Sequence, residues 1–173
     1  MSPQPTATEH GQATNFAVTL MEHLVVPTFV LDAEQRVLIW NQACERLTGI
    51  PAREVIGTRD HWRAFYDSPR PCLADLVARN DWSLIDKLYT THDEPNTPAH
   101  GVHAENWCSM PRRNKQLYLV VDAGPVFDDS GKLIAVVETL RDNTENKLIQ
   151  IKVSEQASLP QHHYDEHERE AKL

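Results

Sequence analysis

The C-terminal half of the chain limits its fold most, because three strand-like segments follow one another there with only turn sequences between them. His103 to Met110, Gln116 to Phe127 and Lys132 to Arg141 are joined by Pro-Arg-Arg-Asn-Lys and by Asp-Asp-Ser-Gly, both sequences that reverse a chain readily. In the middle segment Leu119, Val121 and Ala123 alternate with Tyr118, Val120 and Asp122. That alternation predicts one apolar face and one mixed face.

The N-terminal half reads as two short strands followed by a string of short helices. Thr28 to Asp32 and Arg36 to Trp40 are apolar runs separated by a polar triplet, as in a strand pair. Asn41 is placed to cap a helix over Gln42 to Thr48 that stops at Gly49, and Pro51 opens another turn of helix closed by Gly57. After the aromatic stretch His61 to Tyr66 and the Pro69-Arg70-Pro71 break, Leu73, Leu76 and Val77 share one helical face, and Leu84, Ile85 and Leu88 continue a second. Thr90 to Gly101 carries two prolines and no periodicity, which predicts a loop.

The expected fold is therefore α+β: a five-stranded antiparallel sheet with short helices on one face, flanked by an N-terminal and a C-terminal helix. Residues 1–13 are polar and expected to be disordered, and 14–25 form an amphipathic helix with Phe16, Leu20 and Leu24 at a four-residue spacing. The globular domain spans 26–145, a helix over 146–157 follows with Thr144 at its cap, and 158–173 is a polar tail.

Charge narrows the function classes. Seventeen Lys and Arg against 25 Asp and Glu leave a formal charge of −8 over 173 residues, with no basic block, which argues against nucleic acid or an anionic membrane as partner. No apolar run approaches the roughly 18 residues of a membrane span, and the first residues lack the features of a signal peptide, so the expected location is cytoplasmic. Cys44, Cys72 and Cys108 are widely spaced and fit reduced thiols.

Two stretches are similar to a known family. Trp40-Asn41-Gln42-Ala43-Cys44-Glu45-Arg46-Leu47-Thr48-Gly49 resembles the W-N-x-A-x-E-x-L-T-G signature of PAS sensor domains, and Asp142-Asn143-Thr144-Glu145 resembles the D-x-T-E motif that ends them. Gly57-Thr58 through His61-Trp62, Phe65-Tyr66 and Arg70 to Leu76 looks like the PAS subgroup found ahead of bacterial diguanylate cyclase and chemoreceptor modules, although only polar sequence follows here. The resemblance implies a glove-like fold in which a small molecule sits between sheet and helices, with the state relayed through flanking helices to a separate signalling protein or a missing output domain.

By analogy with flavin-binding PAS relatives, Leu140 faces the pocket, so strand alternation turns Glu138 and Val136 the same way, and the same phase argument turns Leu119, Val121, Trp107 and Ser109 inward. Trp62, Phe65 and Tyr66 are candidate pocket walls, although ordinary core filling explains them better because aromatic residues dominate cores. Glu138 is the sharpest candidate for a polar ligand contact, against the alternative that it bonds a neighbouring backbone group. Arg70 reads as a surface pair or loop anchor more than as a carboxylate clamp. Asp142 and Thr144 are the expected relay residues at the start of the last helix, which would pair with its copy in a homodimer.

The cofactor is unknown, with haem or flavin as options of low weight. The flavin–thiol motif of light-sensing relatives and the haem-attachment motif C-x-x-C-H are missing, non-covalent haem would use His61, His92, His100 or His103, and zinc through His100, His103 and Cys108 lacks a fourth ligand. No nucleophile turn, phosphate loop or metal helix motif points to an enzyme. A ligand-free dimerisation adaptor and a haem-based gas or redox sensor are the alternatives to a small-molecule sensor.

Overall fold

The computed structural model describes residues 7–94 and 100–159. The expectations for residues 1–6, for 95–99 of the loop and for 160–173 lie outside them.

Six antiparallel strands form one sheet in the order β2-β1-β6-β5-β4-β3. They are β1 (Thr28–Asp32), β2 (Val37–Trp40), β3 (Thr91–His92), β4 (Val102–Cys108), β5 (Leu117–Phe127) and β6 (Leu133–Asp142). Five were expected, and the sixth is the two-residue β3, inside the segment read as a loop. Its short pairing, Thr91 with Glu105 and His92 with Ala104, leaves no periodicity for a sequence to display. The three C-terminal strands form the meander that their turns predict, and the N-terminal strand β1 inserts between β6 and the edge strand β2.

The helices are α1 (Ala7–His23), α2 (Gln42–Thr48), α3 (Ala52–Val55), α4 (Leu73–Arg79), α5 (Ile85–Leu88) and α6 (Thr144–Ala157), with a 3₁₀ turn over His61–Ala64. Helices α2 to α5 and the 3₁₀ turn supply the buried side chains that meet one face of the sheet, among them Cys44, Val55, Phe65, Leu73 and Ile85.

The signature around Trp40 builds this side of the fold. The Asn41 side chain accepts the amides of Cys44 (2.9 Å) and Thr28 (3.0 Å) and donates to the Val26 carbonyl (2.9 Å), so one buried amide caps α2 and ties it to β1. Trp40 Nε1 donates to the Ile50 carbonyl at 3.0 Å, and Glu45 accepts the Ala52 amide. Gly49 ends α2 at φ 75°, the left-handed conformation in which a side chain is strained. At Gly101 (φ 84°) a Cβ would stand 2.8 Å from the Ala123 carbonyl oxygen, so the chain enters β4 only without a side chain there.

Helix α1 begins at Ala7, not Thr14. The disorder expected for its first turns rested on their having nothing to bury, yet α1 buries none of its residues anywhere. Ala7, Gln12 and Ala13 favour helix intrinsically, and Glu9 lies in the first turn, where a negative charge suits the helix dipole. Phe16 and Leu20 stand exposed.

The chain divides into two compact units, with the second starting at Asn143. Within it α6 starts at Thr144, so Asn143 and not Thr144 holds the cap position, and the Asn143 side chain accepts from Asn146 (2.9 Å). No α6 residue is buried, and Leu148, Ile149, Ile151 and Val153 are exposed. Among the described residues no helix is long and apolar enough to cross a membrane.

Candidate functional site

Residues paired across strands share a sheet face, so register decides what points inward. Glu138 pairs with Phe29 on one side and Ala123 on the other, both buried, and is itself 2% exposed. Val121 pairs with Leu140, and Leu119 with Asn106, again on the inner face. These positions lie where the sequence places them. Trp107 does not: it pairs with Tyr118 on the opposite face and is 36% exposed, its ring edge-on to Tyr118. The inward residues of β4 are Val102, Ala104, Asn106 and Cys108, one step out of the expected phase. Ser109 lies just past the end of β4, half-buried, and donates to the Phe65 carbonyl at 3.2 Å.

Phe65 is core, with ring centroids 6.2 Å from Phe29 and 6.1 Å from Trp40. Trp62 is half-buried at the helical surface. Tyr66 lies between the aromatic core and a group of polar side chains buried under the Pro69-Pro71 loop and α4, and that group is the candidate site.

Its anchor is the start of α4. Asp75 Oδ2 accepts the Cys72 amide and faces His61 Nε2, both at 2.8 Å, closing a capping box in which His61 is a third member. One residue earlier the Ala74 amide donates to Glu138 Oε2 at 2.7 Å, a bond that joins α4 to β6 across 64 residues of sequence. Burial pushes the Glu138 carboxyl up to about 8, with the nearby Asp75 adding to the rise and the Ala74 amide and Arg70 opposing it. The group is thus largely protonated at neutral pH.

Arg70 enters from above. Its guanidinium carbon is 3.8 Å from the Tyr66 ring centroid and 5.3 Å from that of Tyr89, a cation stacked on two aromatic faces. The side chain expected as a surface pair thus turns inward, and it makes no ion pair among the described residues. Among the described residues two buried polar atoms have no hydrogen-bond partner, Arg70 Nη2 and His61 Nδ1. Both residues line a cleft of about 290 Å³ together with Trp62, Asp75, Arg59 and Arg79. Deeper in, Asn106 Nδ2 donates to the Tyr66 hydroxyl (3.3 Å) and the Leu88 carbonyl (3.2 Å).

Sequence reasoning missed His61, Cys72, Asp75 and Asn106 as members of this group. The available signal was the Cys72-to-Asp75 spacing of a capping box and an arginine whose two flanking prolines restrict the backbone that aims it.

The metal and thiol options narrow in the same geometry. His103 and Cys108 lie on opposite faces of β4, so the zinc set weighed and set aside from the sequence is not brought together. His61, Cys72 and Asp75 do converge within 4.8 Å, but Asp75 is already engaged by its neighbours. Both ring nitrogens of His92 and of His103 meet oxygen acceptors. All three cysteines are free and buried, and burial raises their thiols, Cys108 to about 12, which makes them unreactive at neutral pH.

The fold and this cluster can be set beside known proteins. A family model described as the PAS fold matches residues 15–142. The chain belongs to the PAS family of sensor domains. Among curated proteins the PAS chain is 24% identical over 132 residues to phytochrome B-2 of Glycine max, covering 76% of this chain and 10% of that protein, so it spans about a tenth of that relative's length. Among solved structures it is similar to an RNA-binding light-oxygen-voltage receptor (TM-score 0.60, 20% identity, 92% of this chain and 41% of that one). The PAS domain of BvgS from Bordetella pertussis gives a TM-score of 0.51 at 17% identity, with 87% of this chain and 99% of that one covered. That of an HTR-like protein from Haloarcula marismortui gives 0.51 at 16%, with 78% and 95% covered. At these identities the solved structures share the PAS fold, and the chemistry of the site rests on this chain's own residues.

Proposed function

We propose that this PAS domain binds a small molecule between its helices and sheet and relays occupancy through β6 to α6, and from there to a partner protein or output domain. The observation that carries the reading is the Glu138–Ala74 hydrogen bond, which ties the ligand-facing helix α4 to the strand that runs into α6. Glu138 stands four residues before the end of β6 at Asp142. A ligand that competes for the Ala74 amide or moves Arg70 changes the hydrogen bonding of β6 directly, and a shift of that strand biases the helix that follows.

The helix has the surface such a relay needs. Leu148, Ile149, Ile151 and Val153 are exposed, an apolar set that a second copy in a parallel homodimer, or a partner helix, would cover. The reading places the domain in the cytoplasm, with sensing and not catalysis as its role. Asp142 and Thr144 border the junction, and their part in the relay is a hinge role between β6 and α6.

The test is native mass spectrometry and light scattering on the purified chain at micromolar concentration. An added mass, together with an oligomeric state that changes when the compound is removed and that no longer responds in Glu138→Gln, supports the relay. A clean apo mass with an unchanging dimer supports instead a ligand-free adaptor. A monomer under all conditions contradicts the dimer output.

A further inference from the structure

We infer that the cleft under the Pro69-Pro71 loop is a binding site for a small organic anion whose carboxylate pairs with Arg70; the inference rests on the sensor reading above and names its ligand class.

Three observations converge. The first is an unmet need. Arg70 Nη2 is buried without a hydrogen-bond partner, and a buried charged donor left unpaired is costly, so the site is built for an acceptor that the chain does not itself provide. His61 Nδ1, in a side chain 2% exposed, is a second unpartnered polar atom lining the same cleft. Its other nitrogen is occupied by Asp75, which holds the ring in place.

The second is charge. Arg59, Arg70 and Arg79 line the cleft against a single acid, Asp75, on a chain whose formal charge is −8. None of the three makes an ion pair among the described residues. Arg59 and Arg79 donate through Nε to the backbone carbonyls of Glu34 (2.7 Å) and Asp75 (3.3 Å), which orients both side chains without neutralising them. Glu138, a carboxyl close enough to Arg70 to feel its charge, is kept largely neutral by burial. Three guanidinium groups around one recess, none held in an ion pair among the described residues, attract an anion.

The third is shape and lining. The recess offers about 290 Å³ and is shallow and open to solvent, so it suits a small ligand held by one charged end. Trp62, Pro69 and Pro71 line it beside the arginines, and Tyr66 stacks on the guanidinium. Apolar and aromatic walls around a fork of donors suit a carbon skeleton bearing a planar carboxylate, which a guanidinium grips bidentately, better than a bare inorganic oxyanion.

The experiment is calorimetric titration of the full 173-residue chain at pH 7 with sodium succinate, inorganic phosphate and the uncharged succinamide. Acetate and citrate serve as shorter and larger carboxylates. Saturable heat with one or more of the carboxylates and none with succinamide is expected. Arg70→Gln should weaken binding about tenfold or more, and Arg59→Gln and Arg79→Gln about two- to fivefold each, with the salt dependence of binding reduced. If Arg70→Gln does not fold by circular dichroism, Arg70→Lys keeps the charge and loses the fork, and is expected to weaken binding about fivefold. Three results overturn the inference: no carboxylate binds folded wild-type protein, binding survives unchanged in the Arg70 variants, or phosphate binds in preference to every carboxylate. A native mass spectrum of protein taken straight from cells separates this from the sensor reading. A neutral compound in the recess defeats the anion assignment and leaves sensing intact, whereas carboxylate binding without any change in oligomeric state defeats the relay and leaves the site intact.

Discussion

Two regions on the helical side of the sheet treat buried polar groups in opposite ways. Around α2, Asn41, Trp40, Thr48 and Glu45 each find hydrogen-bond partners in the backbone. Around α4 a carboxyl is buried and largely protonated, a guanidinium nitrogen has no partner, and a histidine uses one nitrogen of two. Fully satisfied networks rigidify a fold, while under-satisfied ones are retained where something else is to bind or move. The W-N-x-A-x-E-x-L-T-G signature therefore marks the scaffold, and the functional reading belongs to the later stretch from His61 to Leu76, which resembles one subgroup of the family.

Substitutions can break or sharpen that contrast. The largest effect is expected at the aromatic core that both regions lean on. Phe65→Ala should cost about 4 kcal/mol in urea unfolding, because it opens a cavity beside Phe29 and Trp40. Next, Asn41→Ala should cost about 3 kcal/mol, since it strands two buried amides and a carbonyl at once; a loss below about 1 kcal/mol would mean that the α2 network is not the rigid partner in the comparison.

The α4 region should respond to pH instead. Glu138 has its carboxyl raised from 4.5 to about 8 in the fold, so the native state binds the extra proton between those values. Its favourable contribution is complete below about pH 4.5, declines as pH rises toward about 8 and is gone above it. Glu138→Gln cannot ionise and should escape that decline, gaining on wild type by about 2 kcal/mol between pH 6 and pH 8 in denaturant titrations. Parallel pH profiles for the two proteins would show that Glu138 is not held neutral. The smallest effect is expected on the outer face, where Trp107→Ala should cost about 1 kcal/mol, chiefly its edge contact with Tyr118. A cost near that of Phe65→Ala would return Trp107 to the core.

Legibility along the chain followed the range of the interactions involved. Asn41 as a cap, Gly49 as a left-handed stop and the two turns of the meander are decided within a few residues, so their residue types announce them. Glu138, Leu140, Leu119 and Val121 were also readable, because the family resemblance turns Leu140 inward and one phase then runs unbroken through long strands. Trp107 was not: alternation says which residues share a face but not which face is inner, and only the pairing of Asn106 with Leu119 decides that for β4. The two-residue β3 and the early start of α1 escaped because neither buries an apolar pattern that a sequence could display.

By itself the sequence determined an α+β sheet-and-helix domain, its strand turns, its helix stops and that Glu138 shares a face of the last strand with Val136 and Leu140. Tertiary structure alone decided that this carboxylate would meet the Ala74 amide from 64 residues away, that Arg70 would turn inward over Tyr66 and Tyr89, and that His61 would join the Asp75 cap. The physical reason is that local conformational preferences act over a few residues, whereas charge burial and orphaned donors are properties of what distant segments bring together, and no spacing along the chain records them.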